Sequence, residues 1–216
     1  MDSRTRTRVR EHLIKRAAEK PAFRQALLAD PRQAVKNEFG YEVPENMQLE
    51  ILEDSPTRVH IVLPPPPPAR DAPVTLREIT AETVRAVCGL EVKESQRGFV
   101  APNAISIAEA HYAPTAWYRA IYAGETPVGF VMLSDDPEKA VYYLWRYMID
   151  GEFQGLGFGR HALQLVIDYV RGRPGAKELT LSYVPGAGSP RDFYAGLGFQ
   201  DTGEVHGGEH VMRLTL

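Results

Sequence analysis

The residues with the clearest chemical potential form a glycine-rich segment, "QGLGFGR", which runs from Gln154 to Arg160. Its three glycines stand at alternate positions, between the apolar run "VYYLWRYMI" and the helical pattern "HALQLVIDYV". Glycine leaves the backbone N–H groups uncovered, so that several can converge on one concavity, and the following helix adds the positive end of its dipole. A strand-to-helix loop of this kind is suited to bind phosphate.

The spacing of these glycines differs from that of two familiar phosphate loops. The dinucleotide fingerprint is G-x-G-x-x-G, and the nucleoside-triphosphate loop ends in a glycine, a lysine and a hydroxyl residue. The segment has neither form. A purely structural turn is the alternative, because glycine also permits close packing of a helix on a sheet.

Two motifs in order support a functional interpretation. The segment from Gln154 to Gly159 resembles the Q/R-x-x-G-x-G/A motif of the GNAT superfamily of acyl-CoA-dependent N-acyltransferases. One strand later, "FYAGLGF", Phe193 to Phe199, is similar to the late helix and turn of that family. The resemblance extends from about residue 74 to the C-terminus, and "YYLWRYMID" and "SYVPGAGSP" are similar to its diamine and spermidine acetyltransferase branch.

The resemblance implies acetyl-CoA as cosubstrate, with its pyrophosphate on the glycine loop. It implies that the main chain of Met148 and Ile149 pairs with the pantetheine arm and polarises the acetyl carbonyl. Ser189 stands where the family often has an asparagine that contacts the coenzyme, and Arg160 is either a phosphate ligand or a solvated arginine. The implied coenzyme-binding residues are Met148, Ile149, Gln154, Gly155, Leu156, Gly157, Phe158, Gly159, Arg160 and Ser189.

Tyr194 takes the general-acid position of the family. An amine that has lost its proton would attack the thioester, and a tyrosine hydroxyl would assist the departing thiolate, whose thiol has a pKa of about 8.5. The structural alternative is that Phe193, Tyr194 and Leu197 form one apolar helix face against the sheet.

The base that deprotonates the amine is not fixed by spacing. Many relatives use a carboxylate through water, and Glu109, Asp150 and Glu152 are equal candidates. A polyamine pocket should also contain several carboxylates, since a polycation loses its water on entry. Ala187 stands where similar sequences have an acidic residue, which weakens the expectation of polyamine specificity.

Other reactive side chains favour structural roles. His206, Glu209 and His210 in "HGGEH" suggest a hairpin turn between strands rather than a metal site. Cys88 lies on an apolar helix face, where a buried inert thiol is expected. We therefore expect no metal.

The elements that position these residues predict an α/β fold: a mixed GNAT sheet flanked by helices over residues 74–216. Antiparallel strands precede the strand, glycine loop and helix at its centre. Before it, Pro64 to Pro68 predict a semi-rigid linker over residues 64–73, with a proline-rich surface loop as the alternative.

Residues 1–63 predict three helices followed by a β-hairpin around "SPT". "LLADPRQAV" and the exit "VLPP" resemble the nitrile-hydratase-like leader domain of precursors of ribosomally made, modified peptides. The metal of the hydratase needs a cysteine-rich cluster, whereas this chain has one cysteine, so nitrile hydration is not implied. The resemblance then implies a recognition element. A dimerisation domain, giving a homodimer, is the alternative.

Composition is that of an ordinary globular protein, with 216 residues and a formal net charge of −3. The charge gives no reason to expect nucleic-acid binding. No secretory signal and no run of about 18 apolar residues is present, so neither membrane insertion nor export is expected. With Cys88 as the single cysteine, a cytoplasmic location is the expectation.

Two functions of different classes remain. The first is an N-acetyltransferase that acts on a small polyamine-like or peptide amine, with the leader-like module binding a peptide-modifying partner enzyme or the acceptor. The second is a scaffold protein that holds coenzyme A without turnover. An acyl group longer than acetyl is a further possibility within the first.

Overall fold

The computed structural model describes residues 3–45, 47–63 and 66–216. By their internal contacts, two compact units make up the chain, Met1–Pro66 and Pro67–Leu216. Across the described ranges, no helix has both the length and the apolar character needed to cross a membrane.

The boundary between the units falls inside the expected linker of residues 64–73. Pro64 and Pro65 lie outside the described residues. The end of the segment belongs to the second unit, because the Ala72 N–H donates to the Ala69 carbonyl at 2.9 Å and Ala72 packs against that unit's core.

The first unit begins with the three helices that the sequence predicts: α1 (Ser3–Glu19), α2 (Pro21–Ala29) and α3 (Pro31–Phe39). Asp30 caps α3 by accepting from the Gln33 N–H at 3.0 Å. The small core of this unit consists of Leu13, Phe23, Leu27, Ala34 and Val35.

The expected β-hairpin of this unit is wrong in the part of the chain described. It is reduced to a single antiparallel bridge between Ser55 and Arg58. Two residues beyond Arg58, the His60 N–H donates to the Asp54 carboxylate at 2.9 Å, instead of to the Glu53 carbonyl that would stand opposite it in a continued ladder. Since Val59 and Ile61 are 73% and 80% exposed, no buried face holds the second segment in register.

The second unit is built on a seven-stranded sheet in the order β1-β2-β3-β4-β5-β7-β6. Its strands are β1 (Val74–Arg77), β2 (Ala116–Ala123), β3 (Thr126–Asp136), β4 (Val141–Ile149), β5 (Glu178–Tyr183), β6 (Gln200–His206) and β7 (Glu209–Thr215). The pairing of β4 with β5 is parallel and the others are antiparallel. The mixed sheet that the sequence predicts is confirmed.

Helices cover both faces of this sheet. They are α4 (Val84–Cys88), α5 (Asn103–His111), α6 (Phe158–Arg171) and α7 (Arg191–Ala195). On one face, α6 buries a continuous apolar stripe that includes Phe158, Leu163 and Val170. On the other face, Val87 of α4 and Ala110 of α5 belong to a second cluster.

The two central strands separate soon after they meet. The β4–β5 pairing comprises only Tyr143 with Thr180 and Leu144 with Leu181, although β4 continues to Ile149. In the part of the chain that the structure describes, the remaining main-chain groups on this edge of β4 therefore have no strand beside them. A ligand can approach the backbone there.

Gly129 of β3 fixes the position of the end of β4. A Cβ atom at this residue would meet the Met148 carbonyl oxygen at 2.4 Å and the Ile149 Cδ1 atom at 2.8 Å. Only glycine permits that approach.

We expect Gly129→Ala to lower the free energy of unfolding by about 3 kcal/mol, because a backbone oxygen must move to admit the methyl group. Gly98→Ala is the matched control, since a Cβ there meets nothing within 4 Å, and it should change stability by less than about 0.5 kcal/mol. Urea unfolding of both variants measures the difference. Equal urea midpoints of unfolding for the two variants would show that a methyl group at residue 129 does not lower the free energy of unfolding.

Candidate active site

A cavity of about 880 Å³ opens where β4 and β5 separate. Its walls come from the second half of β4, the end of β5, the glycine loop, the start of α7 and a segment before α5. It therefore brings together both motifs that the sequence analysis identified.

Two of the three loop glycines leave space that belongs to the cavity. Gly155 and Gly157 have φ values of +80° and +95°, a conformation that side chains rarely adopt. A Cβ atom on either would meet no protein atom within 4 Å, and both residues line the cavity. Gly157 also precedes α6 directly, so that the uncovered N–H groups of the first turn lie at this wall.

The third glycine has the packing role that was the structural alternative. A Cβ atom on Gly159 would lie 3.2 Å from Ile149 Cγ1 and 3.7 Å from the Phe193 ring. The Tyr147 hydroxyl donates to the Gly159 carbonyl at 2.6 Å, which ties β4 to the start of α6. The loop thus combines a binding wall with close helix–sheet packing.

The polar side chains at the two ends of the loop are engaged within the protein. Gln154 Nε2 donates to the Ile149 carbonyl at 3.0 Å and to Gln96 Oε1 at 2.7 Å. Arg160 Nη1 donates to the Gly196 carbonyl at 2.8 Å, beyond the end of α7. Both residues line the cavity, yet these bonds give their side chains a role in fixing the loop.

Leu156 and Phe158 point into the protein instead. Phe158 is fully buried in the core and Leu156 packs against the same cluster. Neither side chain lines the cavity. Their only polar groups that could reach a ligand are those of the main chain.

The main-chain groups of Met148 and Ile149 point in opposite directions. The Asp150 N–H donates to the Val128 carbonyl at 2.8 Å. Hydrogen-bonded positions alternate along an antiparallel ladder, so the main chain of Met148 faces β3 and that of Ile149 faces the cavity. Of the two residues, Ile149 is the one whose N–H can meet a ligand.

Ser189 lines the cavity near α7, and its Oγ atom is buried without a hydrogen-bond partner among the residues described. Buried hydroxyl groups are normally paired. A ligand with an acceptor or donor atom at this wall would complete the pairing.

Tyr194 lies at the cavity wall with 6% of its surface exposed. Burial, together with the neighbouring Tyr143, raises the pKa of its phenol well above the usual value. The hydroxyl therefore stays protonated at neutral pH and can donate a proton. Its ring also packs in the core, 5.9 Å from that of Phe199, as the structural alternative expects. This packing involves the ring and leaves the hydroxyl available for proton donation.

A polar chain that sequence reasoning missed reaches the cavity from β7. The Tyr143 and Ser182 hydroxyl groups lie 2.7 Å apart, and the Ser182 hydroxyl donates to the Glu209 carboxylate. All three residues line the cavity. The sequence placed Glu209 in a hairpin turn, but only the pairing of β7 with β5 brings it beside Ser182.

None of the three carboxylates weighed as the base is among the lining residues. Asp150 is buried and accepts from the Glu91 and Glu152 N–H groups, both at 2.9 Å. Glu109 accepts from Arg146 Nη2 at 3.2 Å. Their positions favour structural roles for Asp150 and Glu109.

The turn residues lie where the sequence places them, whereas Cys88 is less buried than expected. Gly207 and Gly208 form the turn between β6 and β7, as expected for "HGGEH". Cys88 ends α4 and is half-buried, and burial raises the pKa of its thiol. It is therefore a poor nucleophile at neutral pH.

Comparison with known sequences agrees with the second unit's architecture. Residues 91–199 match the sequence profile of the "Acetyltransferase (GNAT) family". A "Spermine/spermidine N(1)-acetyltransferase" of Bacillus subtilis (strain 168) is 26% identical over 150 residues, covering 64% of this chain and 96% of that relative.

A different relative matches a shorter stretch. The "Cobalt-containing nitrile hydratase subunit alpha" of Pseudonocardia thermophila is 31% identical over 71 residues. That match covers 33% of this chain and 35% of the subunit.

Two solved structures show the same fold. The PaiA N-acetyltransferase of Thermoplasma acidophilum, in complex with coenzyme A, is 16% identical and covers 67% of this chain and 99% of its own, with a TM-score of 0.53. The ribosomal-protein-S18-alanine N-acetyltransferase of Escherichia coli is 17% identical and covers 66% and 93%, with a TM-score of 0.52.

Proposed function

Because this chain belongs to the GNAT acetyltransferase family, we propose that it transfers an acetyl group from acetyl-CoA to a primary amine. It is an N-acetyltransferase with acetyl-CoA as cosubstrate. The observation that supports the proposal best is one cavity lined by the glycine loop, the open edge of β4 and Tyr194.

The lining residues fit the chemistry of the coenzyme. The cavity walls at Gly155 and Gly157 are free of side chains, and the N–H groups at the start of α6 suit a pyrophosphate. The unpaired edge of β4 suits an amide-containing arm, and the Ser189 hydroxyl lacks a partner among the residues described. These residues bind and orient the coenzyme, and its thioester supplies the activated acetyl group.

The proton transfers are assigned to two sides of the cavity. Tyr194 donates its proton to the departing thiolate as the acceptor nitrogen bonds to the acetyl carbon. Glu209 accepts the proton of the acceptor amine through the Ser182 hydroxyl, which already donates to it. Because Tyr194 stays protonated and Glu209 is a separate carboxylate, the two residues can act as acid and base in the same turnover.

We expect Glu209→Gln to reduce kcat about 10²-fold, because the amide cannot take up a proton. Glu152→Gln, a change at a carboxylate that does not line the cavity, is the matched control and should retain wild-type kcat. Steady-state thiol release at saturating acetyl-CoA measures both. Wild-type turnover by the Glu209 variant would remove this residue from the proton path.

We propose a separate role for residues 1–63, as a recognition element for a peptide-modifying partner enzyme or for the acceptor. A helical core of its own and the partial similarity to a nitrile hydratase subunit support this. The chain is proposed to act in a reducing cytoplasm, with Cys88 as its single cysteine. A homodimerisation role for this unit is the competing explanation, and it predicts a dimeric full chain with the same acceptors as residues 67–216.

A thiol-release assay with acetyl-CoA tests the proposed function. The panel comprises spermidine, short diamines, amino acids and lysine-containing peptides, assayed with the full chain and with residues 67–216. Amine-dependent release confirms the transferase. Binding of coenzyme A without release by any amine would favour the scaffold function instead, and release only with a longer acyl-CoA would correct the donor.

A further inference from the structure

The charges around the cavity are unsuited to a polycation. Its charged lining residues among those described are three arginines, Arg97, Arg146 and Arg160, and one carboxylate, Glu209. A polyamine carries several ammonium groups, and each loses water on entering and needs an acceptor in return. A single carboxylate does not meet that need.

One of these arginines is directed to the cavity by an irregularity in β4. The pairing register with β3 shifts so that Leu133 pairs with Leu144 and Met132 with Arg146, which leaves Trp145 as an extra residue. Such a bulge places two consecutive side chains on the same side of the sheet.

Neighbouring contacts show the effect of the bulge on side-chain direction. Leu144 and Tyr147 pack in the cluster on the α6 face, whereas Trp145 packs in the cluster on the opposite face. Arg146 contacts Glu109 of α5, which lies on that same opposite face. Strict alternation from Trp145 would have turned Arg146 towards α6.

The hydrogen bonds of the Arg146 guanidinium group are incomplete. Nη1 donates to the Trp145 carbonyl at 3.0 Å and Nη2 to Glu109 Oε2 at 3.2 Å. Nε is buried and has no partner among the described residues. A guanidinium group has five N–H donors and binds a carboxylate by donating two of them at once. Nη1 and Nη2 each keep one further N–H, which can be donated to a pair of anionic oxygens.

The position of Arg146 places it at the acceptor end of the cavity. The glycine loop follows the C-terminal end of β4, and the open edge of the strand leads from the loop back to the bulge. Tyr143, three residues before Arg146 on β4, neighbours Tyr194 and is linked through the Ser182 hydroxyl to the Glu209 carboxylate. A group bound by Arg146 thus belongs to the molecule that receives the acetyl group.

We propose that Arg146 binds a carboxylate of the acceptor, so that the substrate is an amine that also carries a carboxylate, an amino acid, rather than a polyamine. The inference rests on the acetyl transfer proposed above. In the same step the amine nitrogen bonds to the acetyl carbon, the C–S bond breaks, the thiolate leaves with the proton of Tyr194, and the amine proton passes to Glu209.

Matched pairs of acceptors that differ only in the carboxylate test the proposal. They are ornithine and putrescine, lysine and cadaverine, and phenylalanine and phenethylamine. With the full chain and acetyl-CoA, we expect kcat/KM to be at least about tenfold higher for the preferred amino acid than for its decarboxylated twin.

Two variants identify the residue responsible. Arg146→Met should reduce that preference about tenfold or more, while the KM for acetyl-CoA stays within about threefold of the wild-type value. Arg171→Met, on the exposed side of α6, is the matched control and should keep the preference. Glu109→Gln should have the opposite effect, a KM for the amino acid several-fold lower, because Glu109 no longer competes for the guanidinium group.

The outcomes separate the two proposals. Equal turnover of the twins, faster turnover of the diamines, or a preference unchanged in the Arg146 variant would overturn the inference and leave the transferase intact. Loss of kcat for both twins in Glu109→Gln would make Glu109 the base and contradict the competition for Arg146. No thiol release with any acceptor would overturn the proposed function itself.

Discussion

Tyr194→Phe is expected to lower kcat about 10²-fold and leave measurable activity. The phenylalanine ring keeps the core contacts, including the approach of 5.3 Å to Phe193, so that only the hydroxyl proton is lost. General acid catalysis contributes about 10² to 10⁴ in rate, and the low end applies because a thiolate is already a fair leaving group. Single-turnover thiol release measures the change.

Two controls distinguish loss of the acid from damage to the site. The dissociation constant for acetyl-CoA, measured by calorimetry, should stay within about threefold of wild type. Because the raised pKa keeps Tyr194 protonated through the neutral and mildly basic range, wild-type activity should not fall as the pH rises to about 10. Wild-type turnover in the variant, or a wild-type decline that begins near pH 8, would remove Tyr194 from this role.

Gly157→Asp is expected to weaken acetyl-CoA binding by about 10²-fold or more. Gly157 has a φ of +95°, and Asp and Asn are among the residues that best tolerate a left-handed backbone. A carboxylate there would stand in open space at the cavity wall, where the proposed function places a pyrophosphate. Like charges forced together cost several kcal/mol.

Gly157→Asn isolates the charge, because it has nearly the same shape as the aspartate. Its loss of affinity should be at most about tenfold. Gly124→Asp, in the β2–β3 turn with a φ of +57°, controls for backbone strain and should bind acetyl-CoA normally. Equal losses in the two Gly157 variants would mean that no phosphate group lies near this residue.

Local sequence was sufficient for most of the second unit. Apolar runs and turn glycines predict β2, β3, β4 and α6 because each buries a regular face against the same core. The hairpin after α3 failed for the converse reason: Leu49 and Ile51 of its first segment pack against the helical core, whereas the second segment stays uncovered, with Ile61 80% exposed.

The site shows where sequence reasoning ends. Motif order predicts the loop and Tyr194 as site residues, since each motif lies within one strand-to-helix unit. The motif does not reveal that Gln154 binds the Ile149 carbonyl, or that Gly159 serves packing. The role proposed for Glu209 depends on β7 pairing with β5, a contact between segments far apart in the chain.

Mass spectrometry of the acceptor and coenzyme, after incubation of the full chain with acetyl-CoA and a primary amine, tests directly whether this protein transfers an acetyl group. We expect acetylated amine in the same amount as free coenzyme A thiol, formed at a rate about 10²-fold lower in Tyr194→Phe. Free thiol without acetylated amine, or bound coenzyme with neither product, would contradict the claim that this cavity transfers an acetyl group to an amine.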